Sequence, residues 1–234
     1  MAIEPVLVRA GGTEPLYIRR FSRTERTLHW VNAAGFLLLL ATGLILYLPS
    51  LSADVGRRPL MKNVHFWGGI GWVASLAFLV LLGDRRGILR TARELDLFAQ
   101  EDVNWLRRRR PWRQDRFNAG QKLNAALTAA FLVLFLVSGL LLWLGERDTR
   151  FRFASTVILH DGLLYASLFL LVGHLYLAVI HPATRHALRG MVFGTVREDW
   201  ARAHHAKWTP STHLVAKRPA ETRERAVGSE AARP

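Results

Sequence analysis

The chain has 234 residues, half of them hydrophobic, yet it carries a formal net charge of +14 from 32 Lys plus Arg against 18 Asp plus Glu. A soluble domain would interleave those charges with its apolar residues; here the two are segregated along the chain, which argues against a soluble fold. There is no cysteine, which excludes thiolate-held iron–sulfur clusters and the covalent tether of c-type haem.

In chain order, residues 1–20 contain Gly11, Gly12 and two prolines and read as a weakly structured arm. Ser22, Arg23, Thr24 and Glu25 then fit a capping box, in which serine and glutamate satisfy each other's orphan amides, so a helix is predicted to begin near Arg23. This first span, about 23–48, places His29 about two turns in and Trp30 at an interface that keeps one indole edge wet. Gly35 and Gly43 would let a neighbouring backbone or a flat macrocycle approach closely. The first apolar run starts near residue 28 and is long enough to stay as a span, so no cleavable signal is expected.

A short loop ends at Pro59, a residue suited to a helix start, and opens the second span, about 60–83, with His65 two turns in. Gly68, Gly69 and Gly71 follow; room for a ligand beside His65 and plain helix crossing explain them equally well. Polar residues from Asp84 to Arg116, with helical apolar spacing through Ile88, Leu89, Leu95 and Phe98, predict a short amphipathic surface helix. The run Arg107 to Arg110 reads as a patch facing solvent or lipid phosphates. The third span, about 120–145, is entered through Phe117, Asn118, Ala119, Gly120, Gln121 and Lys122 and has no histidine. The fourth, about 155–181, carries His160 and His174, and Pro182 disfavours helix at His181 before it. An amphipathic segment follows to Trp208, and 209–234 is expected to be disordered.

Four stretches lack Asp, Glu, Lys and Arg altogether: Val31 to Leu48, Val64 to Gly83, Leu123 to Gly145 and Gly162 to Thr184. Each has about the length, roughly 17–25 residues, that crosses a hydrocarbon core. Five Arg precede the first charge-free stretch, eleven Lys plus Arg lie from Asp84 to Lys122, and ten lie in the C-terminal segment, against three in each of the other two loops. Because Lys and Arg in short loops stay on the cytoplasmic side, both termini and the second loop are expected there. That rule accounts for the positive charge without nucleic-acid binding. The fold class is therefore all-α: an integral membrane four-helix bundle with cytoplasmic N- and C-termini and short amphipathic cytoplasmic helices. The three parts are an arm over 1–20, a membrane domain over 21–208 and a tail over 209–234. The expected location is a membrane, crossed several times.

His160 and His174 are fourteen positions apart, so they share a helix face to within about 40° and lie about 21 Å apart along it. An ionisable side chain inside hydrocarbon is costly and usually functional, and histidine is a ligand for haem iron. The topology sets His29 opposite His174 at one depth and His65 opposite His160 at the other, which suggests two stacked haems. His181, about 31 Å from His160, spans the whole hydrocarbon thickness and reads as interfacial. His186, His204, His205 and His213 lie in polar surroundings and read as surface residues. Asp161 points about 100° away from His160 and is not its orienting partner. For each histidine taken alone, an interhelical hydrogen bond is the competing reading.

These residues resemble the cytochrome b (gamma) subunit of membrane-bound, molybdenum- or tungsten-containing formate dehydrogenases, a diheme cytochrome b556-type family, over about 17–208. The likeness is carried by Arg26-Thr27-Leu28-His29-Trp30, by His65, by Asn118 to Lys122, by His160 with His174, by Gly190 to Gly194, and by Trp200 to Trp208 with its His204-His205 pair. It implies two haem b, a relay of electrons to menaquinone or ubiquinone, and a quinone pocket lined by Asn118, Gly120 and Gln121 beside the His174 haem. It also implies an iron–sulfur (beta) subunit docked near the outer haem and a molybdenum/tungsten catalytic (alpha) subunit. The chain itself would then be non-catalytic toward formate, serving as the electron-transfer and quinone-reducing subunit. The fourteen-residue spacing alone is shared with hydrogenase cytochromes b, so the partner could instead be a hydrogenase or another molybdenum/tungsten oxidoreductase; a haem-free membrane anchor is the further alternative. A simple N-cap is the competing role for Asn118.

Overall fold

The computed structural model describes residues 16–111, 113–209 and the backbone of 213–214. The rest of the N-terminal arm and of the C-terminal tail lies outside the described residues. Four helices are long and apolar enough to cross a membrane: α1 Arg23–Tyr47, α3 Arg58–Leu82, α6 Ala119–Gly145 and α7 Ala154–Leu175. The last continues as a π-helical turn through Tyr176–Ile180. Shorter helices occupy the connections: α2 Pro49–Val55, α4 Arg85–Asp96, α5 Gln100–Leu106, α8 Leu188–Phe193 and α9 Glu198–His204. The first loop thus holds a helix; α4 lies where a short helix was expected between Asp84 and Arg116, and α5 follows it as a second one after a break at Leu97 to Ala99.

The capping box at Ser22 is present: Glu25 N donates to Ser22 Oγ at 3.2 Å, and Ser22 N donates to Glu25 Oε2 at 2.6 Å. The long helices form two hairpins, α1 with α3 and α6 with α7. In the first, Gly35 is needed because a Cβ there would fall 2.2 Å from the Trp72 indole, and Gly68 lets Leu38 come within 3.3 Å of the same imagined atom. Helix crossing therefore accounts for Gly68. The outward faces carry bare apolar side chains, Phe169 at 80% and Ile158 at 74% exposure, which suits hydrocarbon as solvent.

One end of the bundle, here termed basal, carries the N-terminal segment, α4, α5, α8 and α9; the distal end carries α2 and the loop between α6 and α7. The basal end holds a small sheet that the all-α reading did not include. Strand β1 (Tyr17–Arg19) pairs antiparallel with β2 (Thr195–Arg197) and with β3 (His213–Leu214). Residues 17–20 are thus ordered structure where a weakly structured arm was expected. Ile18 and Val196 bury their side chains with Trp200 and Ala201, and Trp208 packs on the cluster.

Beneath this sheet lies a layer of buried polar groups. Arg116 Nη1 donates to Glu25 Oε1 at 2.8 Å and to the Arg20 carbonyl at 3.1 Å, while its Nε donates to Glu94 Oε2 at 2.6 Å. One guanidinium thereby ties the start of α1 to α4 and to the approach to α6. Arg20 donates to the Arg116 carbonyl at 2.7 Å, and its Nη2 lies 3.1 Å from His205 Nε2. His205 is 2% exposed, so the surface position expected for it is wrong: α9 folds its C-terminal end under the sheet, where Nδ1 meets the Asp115 carbonyl at 2.6 Å.

Burial, aided by the Arg116 charge, lowers the Arg20 pKa to about 9; burial, aided by the Arg20 charge, lowers that of His205 to about 3. An imidazole with a depressed folded pKa stays neutral in the native state, whereas the unfolded chain takes up a proton below about 6.5. Its contribution to stability is therefore present above about pH 6.5 and is lost as pH falls toward about 3. Thermal unfolding in detergent micelles between about pH 7 and about pH 4 is expected to show a shallower acid-side fall for His205→Asn than for the unsubstituted protein. Equal slopes would mean that His205 is not held neutral.

Candidate functional site

Four histidines project between the two hairpins. His29 on α1 faces His174 on α7 with ring centres 6.1 Å apart, and His65 on α3 faces His160 on α7 with ring centres 6.3 Å apart. The structure brings together the two pairs expected from depth. A direct N–H···N hydrogen bond would set ring centres at only about 5 Å, given about 3 Å between nitrogens and about 1 Å from each nitrogen to its ring centre. A metal bound by both rings, at about 2 Å per bond, sets them at about 6 Å. Both pairs stand beyond direct hydrogen-bonding reach, at a separation that a bridging metal would also give.

Among the described residues no three or more His, Cys, Asp or Glu gather to hold a metal. Two imidazoles are too few for a bare ion, but they complete an iron that brings four equatorial ligands of its own, as haem does. A cavity of about 400 Å³ opens between the hairpins at the distal pair, lined by Gly43, His65, Gly69, Phe135, Gly139 and His160. At its rim stand Arg58, Lys62 and Arg147, with Lys62 paired to Glu146. Asp161 also lines this cavity, but His160 is oriented by another group: its Nδ1 lies 2.8 Å from Ser138 Oγ on α6. Likewise His65 Nδ1 lies 2.9 Å from Thr42 Oγ1 on α1. Sequence reasoning missed both hydroxyls. The only signal available was a Thr and a Ser, each followed by glycine, within the charge-free stretches of α1 and α6.

Asn118, Gly120 and Gln121 stand at the basal start of α6. Gln121 N donates to Asn118 Oδ1 at 2.9 Å and Asn118 N donates to Gln121 Oε1 at 3.0 Å, a reciprocal cap. Capping consumes the two side-chain oxygens and leaves both carboxamide NH₂ groups as donors, so the capping role does not exclude a binding one. A Cβ on Gly120 would fall 3.2 Å from the Trp105 ring, so the close approach this glycine permits is that of α5. Lys122, one position on, is anchored to Asp102 at 2.7 Å and to the Leu97 carbonyl at 2.7 Å. His181 lies past the last turn of α7, its Nδ1 3.2 Å from Thr184 Oγ1, away from both pairs.

An apolar four-span bundle with two facing imidazole pairs and no cysteine to tether a prosthetic group defines a membrane cytochrome of the b type. Residues 20–194 match the family described as prokaryotic cytochrome b561, and the chain belongs to that family. Among its relatives is the formate dehydrogenase cytochrome b556(fdo) subunit of Escherichia coli (strain K12), 27% identical over 219 residues, covering 87% of this chain and 97% of that protein. The nitrate-inducible formate dehydrogenase cytochrome b556(Fdn) subunit of the same strain is 22% identical, covering 79% and 86%. The formate dehydrogenase cytochrome b556 subunit of Haemophilus influenzae is 24% identical, covering 82% of each. The chain is a multi-pass protein of the bacterial inner membrane, and haem b is the prosthetic group its family implies.

The Lys122–Asp102 pair is nearly buried, at 7% and 5% side-chain exposure. Removing one partner strands the other charge, so Asp102→Asn should destabilise the fold by about 3–5 kcal/mol, whereas the paired change Asp102→Leu with Lys122→Met should recover most of the loss. Denaturation of the three proteins in micelles measures this directly; equal stability of Asp102→Asn and the parent would show that the pair is effectively solvated.

Proposed function

We propose that this chain is the membrane-anchoring diheme cytochrome b subunit of a formate dehydrogenase complex, passing electrons from an iron–sulfur subunit to a quinone in the membrane. The single observation that carries the reading is the pair of imidazole pairs, each at a metal-bridging separation and at opposite depths of one bundle. Family membership and the formate dehydrogenase relatives narrow the partner.

His29 with His174 and His65 with His160 would hold the haems, and haem b, when bound, would supply a one-electron carrier. The cations on the distal rim, Arg58, Lys62 and Arg147, suit the acidic substituents of such a group. The uneven Lys and Arg distribution orients the basal end to the cytoplasm. The iron–sulfur and catalytic subunits then meet the distal end. Quinone takes two electrons and two protons, so its site must border both a carrier and a path to water. Asn118 and Gln121 supply donors for a quinone carbonyl at the basal end, at the depth of the His29 and His174 pair.

A pyridine haemochrome assay should return two haem b per chain. His65→Ala and His160→Ala should remove the same spectral component, and His29→Ala and His174→Ala the other; any other grouping would refute the pairing. Gln121→Ala should keep both haems and their reduction by the upstream subunits but slow reoxidation by a quinone analogue in stopped flow, by about tenfold or more if a donor specific to the reaction is lost. Unchanged reoxidation in both Asn118→Ala and Gln121→Ala would move the quinone elsewhere.

A further inference from the structure

The distal imidazoles differ from the basal ones in a way that bears on the direction of electron flow. Thr42 is 5% exposed and Ser138 is fully buried. Thr42 Oγ1 lies 2.9 Å from the Leu38 carbonyl, and Ser138 Oγ lies 2.7 Å from that of Leu134. Two oxygens that close repel unless a proton lies between them, and each hydroxyl has only one proton to give. In its second contact, to His65 Nδ1 at 2.9 Å or His160 Nδ1 at 2.8 Å, each hydroxyl must therefore accept. The proton then resides on Nδ1 of both rings, and the lone pair on Nε2.

The device occurs twice. After each hydroxyl comes a glycine beside the ring: a Cβ on Gly43 would crowd His65 Cε1 at 3.3 Å, whereas one on Gly139 would make ordinary contact with His160 Cε1 at 3.6 Å. Thr42–Gly43 on α1 thus serves His65 on α3, as Ser138–Gly139 on α6 serves His160 on α7. Among the described residues, the rings of His29 and His174 make no hydrogen bond.

We propose that Thr42 and Ser138 are positioning residues that lock the distal ligands with Nε2 toward the metal and set the distal haem at a lower reduction potential than the basal one. This rests on the diheme reading above. A hydrogen-bond acceptor at Nδ1–H makes an imidazole a stronger electron donor, which favours ferric over ferrous iron. The ungripped basal pair lacks that bias. One electron leaving the distal site then runs downhill to the basal site, and two such transfers with two protons convert one quinone to its quinol.

The test is redox titration of the purified, haem-loaded complex with low-temperature electron paramagnetic resonance, the distal signal being assigned by its loss in His65→Ala. Thr42→Val and Ser138→Ala should each raise the distal potential and shift the distal low-spin signal, leaving the basal haem unchanged. Together they should change electron sharing between the two sites by about tenfold, equivalent to about 59 mV for one electron. Thr42→Ser should restore the parent values. If Thr42→Val does not retain the distal haem, Ser138→Ala and Ser138→Cys read the same quantity through the opposite ligand. Parent potentials in the double variant, equal shifts at both haems, or loss of the distal haem from every variant including Thr42→Ser would overturn the proposal. Fewer than two haems in the unsubstituted chain would instead overturn the diheme reading itself.

Discussion

The separation of the two helical hairpins governs the rest of the structure. Within the α1–α3 hairpin the helices approach closely: glycine admits the Trp72 indole at Gly35 and the Leu38 side chain at Gly68. Between the hairpins the imidazoles stand 6.1 and 6.3 Å apart, too far for direct hydrogen bonding. At the distal end the hairpins also touch through Tyr47 and Tyr165, whose hydroxyls lie 2.7 Å apart, through the stacked Phe66 and Trp143, and through Lys62 with Glu146. These contacts close the end of the bundle and leave its middle to the histidines. Hydrocarbon outside gives no hydrophobic incentive for the helices to collapse further, so cohesion there falls to direct contacts between the helices and, on the proposed function, to a bound haem.

The basal end answers a different demand. Four long helices emerge where connecting backbone must again be hydrogen-bonded, and water competes for each partner. Arg116 resolves much of this by engaging Glu25, Glu94 and the Arg20 carbonyl at once, and the three-stranded sheet caps it. Among the described residues Arg20 has no carboxylate partner; its guanidinium lies over the Phe21 and Trp200 rings instead, 5.3 and 5.4 Å from their centres. Aromatic faces can hold a cation where a second acid would be costly to desolvate. The outcome is a stiff platform from which the Asn118 to Gln121 turn starts α6.

Much of this was legible in the sequence because it rests on local or periodic signals. Charge-free stretches locate the spans, Ser22 with Glu25 announces the first helix, and the interval of fourteen on α7 together with alternating span direction matches His29 to His174 and His65 to His160. What escaped depends on contacts between distant segments. Tyr17 to Arg19 has no strand signature of its own and becomes a strand only by meeting Thr195 to Arg197. His205 sits in a polar stretch that reads as surface, yet the sheet folds over it. Thr42 and Ser138 look like ordinary helix hydroxyls bonding one turn back, which they are; that their oxygens also meet an imidazole nitrogen on the next long helix appears only in three dimensions.

The decisive property of the bundle is whether both facing histidine pairs hold iron. Low-temperature electron paramagnetic resonance of the oxidised, purified protein tests this most directly, because two imidazole ligands make ferric haem low-spin with a recognisable signal. Two distinct low-spin ferric signals of equal spin concentration, with no high-spin component, are the expected result. A single low-spin signal, or a high-spin signal from iron with an open axial position, would contradict it.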